Sequence, residues 1–478
     1  MKSRKYTALR VLAVAGVALA MVGCRGDDDD SSSSATTAAG ATETTMAEST
    51  ETTMAESTET TMAESTETTM AGSTETTMAG SDEGAMAPAV DCPESEPGIS
   101  DTEMFLGGTY PLSGPAAAYA SIPVGVDTWF QYLNDTQGGI TAGDGVTRKI
   151  NWNYLDDGYS PPKSLENVRK LIEQDNVWLV LNPLGTPPNM AIRDYMNEAE
   201  VPQLFVATGA ATWGRDIEQY PWTIGLQPDY ESEGIAYAKY ILGENPDATI
   251  GLLYANDDFG KDYQTGIREG LGDKVDQLIS EVTYETTDAT VDSQVSQVLS
   301  NNPDAFILIA TPAFAIQGIN QVQALGFDGI KVVTSVSSSV GAVISNTNEG
   351  AALDWVTTVY LKDPTDPEYD DDPAMQQYKD LMAQYHPDAN VDDGLYLYGM
   401  NLAQSFQWAL EHTPNVCRLG IMESAKHLDL PQPPLLIDGI SLKTDVPGDG
   451  FPIQQVQLQQ WNGEQYVKFG DIIDAADL

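Results

Sequence analysis

The chain has 478 residues and a formal net charge of −48 at neutral pH, because 71 Asp and Glu stand against 23 Lys and Arg. So acidic a chain repels nucleic acid and anionic lipid, and neither is expected as a binding partner. The three histidines stand in no Cys/His ligand spacing and no Gly-x-Ser-x-Gly motif accompanies them, so neither a zinc site nor a serine hydrolase is supported.

Residues 1–23 are typical of an export signal. Basic residues up to Arg10 precede an apolar run from Val11 to Val22, which is too short for a comfortable membrane span. Residues 21–24, Met-Val-Gly-Cys, resemble the lipobox of bacterial lipoproteins, which implies that Cys24 becomes a lipid-modified N-terminus. The alternative is an ordinary secretory peptide with a chance cysteine.

Residues 24–98 offer little from which to build a hydrophobic core. The octet TETTMAES begins at Thr42, repeats from Thr50 and Thr58, and continues as a variant from Thr66 and Thr74. One Met among threonines, serines and glutamates buries too little apolar surface to offset the entropy lost on ordering. A disordered, self-repelling acidic linker that lifts a folded domain off the membrane is predicted. Low-complexity drift without a length requirement is the alternative.

Cys92 and Cys417 are the cysteines that remain beside Cys24. In an exported protein an even pair favours one disulfide, with two free thiols as the alternative.

From Asp101 onward the chain exceeds one ordinary domain, which suggests two. Short apolar runs alternate with helical stretches, the pattern of a parallel sheet with helices on both faces. In the first set the predicted strands are 104–110, 150–154, 178–181 and 203–207, and the predicted helices are 122–134, 163–174 and 190–199.

The pattern restarts after a predicted crossover at residues 225–230. The second set has predicted helices at 235–242, 261–271, 291–300 and up to Leu325, with strands at 249–254, 282–286, 305–310 and 331–335. A strand-like run at 356–361 and a helix at 395–411 follow, and the alternation around Asn462-Gly463 predicts a hairpin over 454–473. The fold class is therefore α/β, and two lobes crossed several times by one chain leave a cleft between them.

Two predicted strand ends carry small residues. One ends in Gly185-Thr186 and the other in Ala207-Thr208-Gly209. Ligands of open parallel sheets bind beyond the carboxyl ends of the strands, where free N–H groups at a helix start favour a carboxylate. Tight strand-to-helix turns without a ligand are the alternative.

The motifs PLSGPAAAY (111–119), YLDDGYSPPKSLENVRKLI (154–172), VPQLFVATGA (201–210) and LLYANDDFGKDY (252–263) follow the order of one family. Over about residues 100–475 the chain resembles the type I periplasmic binding proteins of ABC importers, in the Leu/Ile/Val-binding branch. The resemblance implies two Rossmann-like lobes joined by a three-segment hinge that close on a ligand. Lobe I is expected at 99–226 and 358–452, and lobe II at 227–357 and 453–478.

The resemblance also implies ligand-binding positions. The turn at Gly185-Thr186 and the backbone around Ala207 and Gly209 are expected to meet the ligand's carboxylate. The full expected set is Tyr119, Gly185, Thr186, Ala207, Thr208, Gly209, Phe259, Thr311 and Ser337. Tyr119 is expected as an aromatic wall, with a core aromatic as the alternative, and Phe259 as an apolar contact. Asp156 and Asp157 are expected to cap their loop rather than to touch ligand.

One stretch departs from the family pattern. Amino-acid binders of this branch place an acid after the strand that corresponds to 331–335, where it neutralises the ligand's ammonium, but residues 335–339 are Ser-Val-Ser-Ser-Ser. A buried ammonium without a counter-charge is costly. An amine-free acid therefore stands beside an amino acid as the expected solute, unless Asp229 or Glu231 supplies the charge.

The expected function is that of a solute-binding lipoprotein on the outer face of a bacterial cell membrane. It captures a small carboxylate-bearing solute and delivers it to the membrane subunits of an ABC permease. We expect a monomer without enzymatic activity, cofactor or metal ion. A sensory protein on the same fold, which passes its closed form to a signalling partner, is the alternative.

Overall fold

The computed structural model describes residues 85–448 and 450–478. The predicted export signal, Cys24 and most of the predicted linker lie outside the described residues. Among the helices of the described part, none combines the length and apolar character that a membrane span requires.

Helices and strands alternate through most of the described chain. The α-helices are α1 Ser121–Gln137, α2 Pro161–Glu173, α3 Thr186–Glu198, α4 Thr212–Arg215, α5 Tyr230–Glu244, α6 Asp258–Leu271, α7 Asp292–Leu299, α8 Pro312–Ala324, α9 Pro373–Tyr385, α10 Gly394–Glu411 and α11 Arg418–Ala425. The strands are β1 Glu103–Tyr110, β2 Ile140–Thr141, β3 Thr147–Asp156, β4 Leu179–Leu181, β5 Gln203–Val206, β6 Thr223–Gly225, β7 Ile250–Ala255, β8 Leu278–Tyr284, β9 Ala305–Ile309, β10 Ile330–Val333, β11 Trp355–Val359, β12 Asp429–Leu430, β13 Leu442–Lys443, β14 Gln455–Trp461 and β15 Tyr466–Asp474.

Two sheets organise the molecule. The first has six strands in the order β2-β3-β1-β4-β5-β6, parallel except for the antiparallel β2. The second has seven strands in the order β15-β14-β11-β10-β9-β7-β8, parallel except for β14 and β15. The predicted α/β class with parallel-dominated sheets is therefore confirmed. We call the part built on the six-stranded sheet lobe I and the part built on the seven-stranded sheet lobe II.

Each lobe has its own apolar core. In lobe II the strand β9, AFILI, is buried at all five positions, as expected for a parallel strand covered by helices on both faces. In lobe I, α1 packs along α10, and side chains such as Phe130 and Phe406 meet edge to face with ring centroids 6.0 Å apart. Both cores gather residues that are far apart in the chain.

The chain passes between the two sheets three times, after β6, after β11 and before β14. The second passage is fixed on its lobe I side by an isolated bridge between Leu361 and Leu436. Three passages allow the lobes to move by hinge bending without breaking either sheet. The residue numbers assigned above to the lobe boundaries stay a prediction.

The predicted C-terminal hairpin is present as β14 and β15, which pair antiparallel with Trp461 opposite Tyr466 on either side of the Asn462-Gly463 turn. The prediction placed the start of α3 at Met190, but the helix begins at Thr186, with Pro187 and Pro188 in its first turn. Proline is favoured there because the first helical residues have no intrahelical N–H bond to lose.

The segment before β1 lies on lobe I. Cys92 and Cys417 form a disulfide, and the Val90 N–H donates to the side chain of Asn415 at 3.1 Å. The carboxylate of Glu96 accepts from the indole of Trp178 at 3.1 Å and from the backbone N–H of Arg418 at 2.7 Å. The predicted linker is therefore too long at its C-terminal end, because residues from Val90 onward are tied to the folded part.

Candidate functional site

A cavity of about 130 Å³ lies where the carboxyl ends of the strands in both sheets come together. Residues that follow β3, β4 and β5 line it from lobe I, and residues that follow β7, β9 and β10 line it from lobe II. These lining residues are Tyr159, Leu184, Gly185, Thr186 and Ala207 from lobe I, and Phe259, Thr311, Ser335, Val336, Ser338 and Ser339 from lobe II. The cavity is close to the ~150 Å³ that holds a benzene molecule in an engineered protein cavity.

Three helices begin at the cavity. Gly185 is the N-cap of α3, Phe259 lies in the first turn of α6, and Thr311 is the N-cap of α8. Pro187 and Pro188 carry no N–H, so Thr186 alone brings an amide proton to the first three positions of α3. The Thr186 N–H and the positive ends of the α3 and α8 dipoles make this part of the wall favourable for an anion. The start of α6 is different, because the carboxylate of its N-cap, Asp257, already accepts from the Gly260 N–H there.

Gly185 adopts a left-handed φ of +94°. A Cβ at this position would lie 2.4 Å from the ring of Tyr159, far inside contact distance. The sequence led us to expect that the ligand approaches the bare backbone here, but the ring of Tyr159 occupies that face. The absent side chain therefore positions Tyr159, which itself lines the cavity and was not predicted.

The two predicted threonines next to the strand ends have different positions. Thr186 lines the cavity, whereas Thr208 is buried behind it and shares a hydrogen bond with the Thr186 hydroxyl. Gly209 is also absent from the lining, and a Cβ there would lie 2.1 Å from the carbonyl oxygen of Pro228. Thr208 and Gly209 thus support the wall, and the small size of Gly209 serves packing against the crossover.

Aromatic rings form much of the wall. They belong to Tyr119, Tyr159, Tyr230, Phe259, Tyr360 and Tyr398. The Tyr398 hydroxyl donates to the side chain of Gln227 at 3.4 Å, and the amide of Gln227 donates to Tyr230 at 3.2 Å. Burial raises the pKa of Tyr119, Tyr230 and Tyr398, so these hydroxyls keep their protons. Tyr119, which was predicted as either a wall or a core aromatic, lines the cavity and is also buried.

Phe259 and Thr311 line lobe II's part of the cavity, where they were predicted. The ring of Phe259 meets that of Tyr230 edge to face, with centroids 5.2 Å apart, so it offers an apolar contact. The backbone N–H of Thr311 donates to the hydroxyl of Tyr284 at 3.0 Å, which fixes the start of α8.

The serine stretch lines the cavity through residues 335, 336, 338 and 339, but not through the predicted Ser337. Neither acid suggested as a substitute counter-charge reaches the cavity. Asp229 caps α5 by accepting from the backbone of Glu231 and Ser232, and the carboxylate of Glu231 pairs with Arg215 at 2.6 Å.

Two other carboxyl groups, which the sequence did not reveal, lie at the cavity. Asp363 is among the lining residues, and Glu233 is buried behind Ser335 and Thr358, to both of which it is hydrogen-bonded. Burial raises the pKa of Asp363, and it raises the pKa of Glu233 to about 7. Glu233 lies in α5 and Asp363 lies in the passage after β11, so neither follows the strand after which the family pattern places its acid.

Asp156 and Asp157 fix their loop, as predicted. Asp156 accepts from the backbone of Leu112, Ser113 and Gly158, and Asp157 accepts from the hydroxyl of Thr109 at 2.8 Å. Neither is among the cavity-lining residues. Within the described ranges, no three His, Cys, Asp or Glu residues are grouped so as to hold a metal ion.

Hydrogen bonds join the two lobes around the cavity. The Tyr119 hydroxyl donates to the carbonyl of Val336 at 3.2 Å, and the Ser339 hydroxyl donates to Asp393, the N-cap of α10, at 2.8 Å. On α6, Asp262 accepts from the backbone N–H of Ala211 at 2.9 Å. The two lobes are therefore in direct contact beside the cavity.

The chain matches the family model described as "Periplasmic binding protein" over residues 103–465. It is similar to a branched-chain amino acid ABC transporter protein from Thermus thermophilus with bound valine, at 13% identity and a TM-score of 0.66, covering 78% of this chain and 96% of that one. It is similar to a fatty acid ABC transporter substrate-binding protein from Thermomonospora curvata, at 18% identity, TM-score 0.64 and coverage of 80% and 96%. A solute-binding protein from Rhodopseudomonas palustris BisB5 in complex with 3,4-dihydroxy benzoic acid gives 16% identity, TM-score 0.63 and coverage of 79% and 98%.

Proposed function

This chain belongs to the periplasmic binding protein family, and on that premise we propose that it is the extracytoplasmic solute receptor of an ABC importer. It captures a small carboxylate-bearing solute between its lobes and presents the closed form to the permease. No covalent chemistry is required, because capture and release depend on the hinge alone.

The observation that carries this proposal is the convergence of the N-termini of α3 and α8, together with the hydroxyls of Thr186 and Thr311, on one cavity between the lobes. Among the described lining residues the charged side chains are Lys362 and Asp363, and the ammonium of Lys362 is already paired with Asp372 at 2.7 Å. An anionic group is therefore best held by N–H and O–H donors, as Thr186 and the helix starts provide.

The size of the cavity favours a compact solute. A volume of about 130 Å³ suits a molecule the size of valine or of a benzoic acid rather than a long-chain fatty acid. Valine, fatty acids and dihydroxybenzoic acid, named for the three similar proteins, share a carboxyl group, and this common group supports a carboxylate as the recognised end.

A thermal-shift screen of the full chain in detergent, against amino acids and small aromatic and aliphatic acids, tests the proposal. A solute at a hundredfold its dissociation constant stabilises the folded state by about 2.7 kcal/mol and raises the melting temperature by several degrees. Thr186→Val is expected to weaken binding of that solute about tenfold or more, because it removes a hydroxyl from the anion site.

Thr265→Val is the matched control, because Thr265 is exposed on α6 and its hydroxyl donates to the backbone carbonyl of Lys261. Equal affinities of the two variants would remove Thr186 from the site. A screen in which no small carboxylate shifts the melting temperature would contradict the proposed function.

We further propose that the chain is lipid-anchored through Cys24, with the acidic repeat as its tether. The disulfide between Cys92 and Cys417 and the bonds of Glu96 attach the end of that tether to lobe I, which leaves lobe II free to move. Cys24→Ala is expected to move the protein from the membrane pellet to the soluble fraction of cells. A variant that still sediments with membranes, although its signal is cleaved as judged by mass spectrometry, would refute the anchor.

A further inference from the structure

One part of the cavity wall is formed by hydroxyl groups that already donate their protons to acceptors within the protein. The Ser335 hydroxyl donates to Glu233 at 3.0 Å. The Thr358 hydroxyl donates to the other oxygen of the same carboxylate at 2.5 Å and also meets the Tyr237 hydroxyl at 2.9 Å. The Ser338 hydroxyl donates to the carbonyl of Ser335 at 2.8 Å, and the Ser339 hydroxyl to Asp393 at 2.8 Å. A hydroxyl has one proton and two lone pairs, so these oxygens are left with acceptor capacity only.

Buried carboxylates fix this orientation. Glu233 is 1% exposed, and its hydrogen-bond partners are the hydroxyls of Ser335, Thr358 and Tyr237 rather than a cation. If Ser335 or Thr358 turned its proton toward the cavity, a buried carboxylate oxygen would lose a donor that no nearby cation replaces. The hydroxyls therefore cannot switch freely between donor and acceptor roles while Glu233 is ionised.

The second carboxylate acts in the same way. Asp393 accepts from Ser121 at 2.7 Å through one oxygen and from Ser339 through the other, which also accepts from the backbone N–H of Leu395 at 3.0 Å. Since Ser339 lines the cavity, its oxygen too faces any solute as an acceptor. Two side chains bring formal charge to the described lining, Lys362, whose ammonium is paired with Asp372, and Asp363. This part of the cavity therefore attracts positive rather than negative groups.

We propose that the solute carries, besides its carboxylate, a hydrogen-bond donor that binds the oxygens of Ser335 and Thr358. The inference rests on the proposed function and narrows its substrate class. Ammonium, amide N–H and hydroxyl groups share the required chemistry, so amino acids and hydroxylated acids are bound in preference to simple monocarboxylates. The wall recognises the donor through hydroxyls that are oriented by Glu233 rather than by direct contact with an acid.

Matched pairs of acids test the proposal by isothermal titration of the full chain at pH 8. One pair is leucine and 4-methylpentanoate, which differ by the amine, and the other is 4-hydroxybenzoate and benzoate, which differ by the hydroxyl. In every pair that binds, the donor-bearing member is expected to bind at least tenfold more tightly. A pair that binds without this preference overturns the inference and leaves the proposed function intact. If no member of either pair binds at millimolar concentration, the proposed carboxylate solute of this size is wrong, and the inference is wrong with it.

Ser335→Ala removes one of the two acceptors and is expected to reduce the preference for the donor-bearing acid about tenfold. Ser121→Ala is its control, because Ser121 also donates to a buried carboxylate, Asp393, but does not line the cavity. This control is expected to keep the preference of the parent protein. The ratio of two affinities in one variant is insensitive to a loss of stability. If Ser335→Ala leaves the ratio of the two affinities unchanged, Ser335 does not bind the solute's hydrogen-bond donor.

Discussion

Gly185→Ala is expected to weaken solute binding at least a hundredfold and to lower the free energy of unfolding by about 2–4 kcal/mol. A left-handed φ of +94° is strained for alanine, and the new Cβ would stand 2.4 Å from the Tyr159 ring. Because the neighbouring backbone is held by α3, the ring is the group that must move, and it lines a cavity of only about 130 Å³. Titration with the solute found in the screen, together with chemical unfolding, measures both effects.

Two further variants separate the causes. Gly138, at the C-cap of α1, also has a positive φ of +77°, with ψ 8° where Gly185 has 142°, and no heavy atom lies within 4 Å of an added Cβ. Gly138→Ala should therefore show the cost of a left-handed alanine without a clash, about 1 kcal/mol, and unchanged binding. In Gly185→Ala/Tyr159→Ala the clash is removed, so the double variant should be more stable than the sum of the single effects by about 1–3 kcal/mol. Additive effects would show that the ring does not depend on the glycine.

The main strands and helices could be predicted from sequence because the local pattern of apolar and polar residues indicates which positions are buried. A short run such as AFILIA is typical of a strand covered on both faces, and Asn462-Gly463 between alternating residues is typical of a hairpin turn. The short strands β2, β6, β12 and β13 and the helix α4 were missed. Two to four residues carry too little periodicity to be recognised, and pairing with distant strands decides their structure.

Part of the expected site came from chain order and part from the family resemblance. Gly185, Thr186 and Ala207 follow predicted strands, so the topology of parallel sheets places them at one edge, whereas Phe259 and Thr311 were expected from the resemblance. All five line the cavity.

The sequence could not show where individual side chains point or in which direction their hydrogen bonds run. Nothing in the sequence around Gly185 indicated that the ring of Tyr159, which follows β3, would pack against it. The serine stretch was interpreted as lacking an acid, because Glu233 precedes it in the chain by about a hundred residues and meets Ser335 only in the folded protein. Hydrogen-bond direction is a property of such tertiary neighbours, since an isolated hydroxyl donates and accepts equally well.

Glu233→Gln is expected to stabilise the protein at pH 8 by up to about 3 kcal/mol and to have little effect near pH 5. Burial raises the pKa of Glu233 from 4.5 to about 7, against the opposing hydrogen bonds of Thr358, Ser335, Tyr237 and Tyr263. Between these two pKa values the folded protein holds a proton that the unfolded chain has lost. The contribution of Glu233 to stability therefore falls as pH rises from about 4.5 to 7. Glutamine does not titrate, so the variant does not lose stability in this way.

Urea unfolding of both proteins from pH 5 to 8.5 measures the difference, with Glu244→Gln as the control because Glu244 is exposed near the end of the same helix. The groups that face Glu233 come from its own helix (Tyr237), from α6 (Tyr263), from β11 (Thr358) and from the segment after β10 (Ser335). Since none of these groups is a cation, the penalty for ionising Glu233 has no compensating ion pair. A constant difference between the two proteins across this pH range would show that Glu233 is not the titrating group.

The same substitution links stability to recognition. An amide at position 233 carries its own protons, so Ser335 or Thr358 must turn to accept one of them and its hydroxyl proton becomes available to the cavity. At pH 8, Glu233→Gln is then expected to reduce the preference for donor-bearing over donor-free acids at least tenfold. It should bind the donor-free acids no more weakly than the parent protein does. The parent protein should lose preference in the same direction as pH falls through about 7, because protonated Glu233 also becomes a donor. A preference that persists both in this variant at pH 8 and in the parent protein at pH 5.5 would mean that the solute's donor is held elsewhere, with Asp363, the acid among the described lining residues, as the alternative.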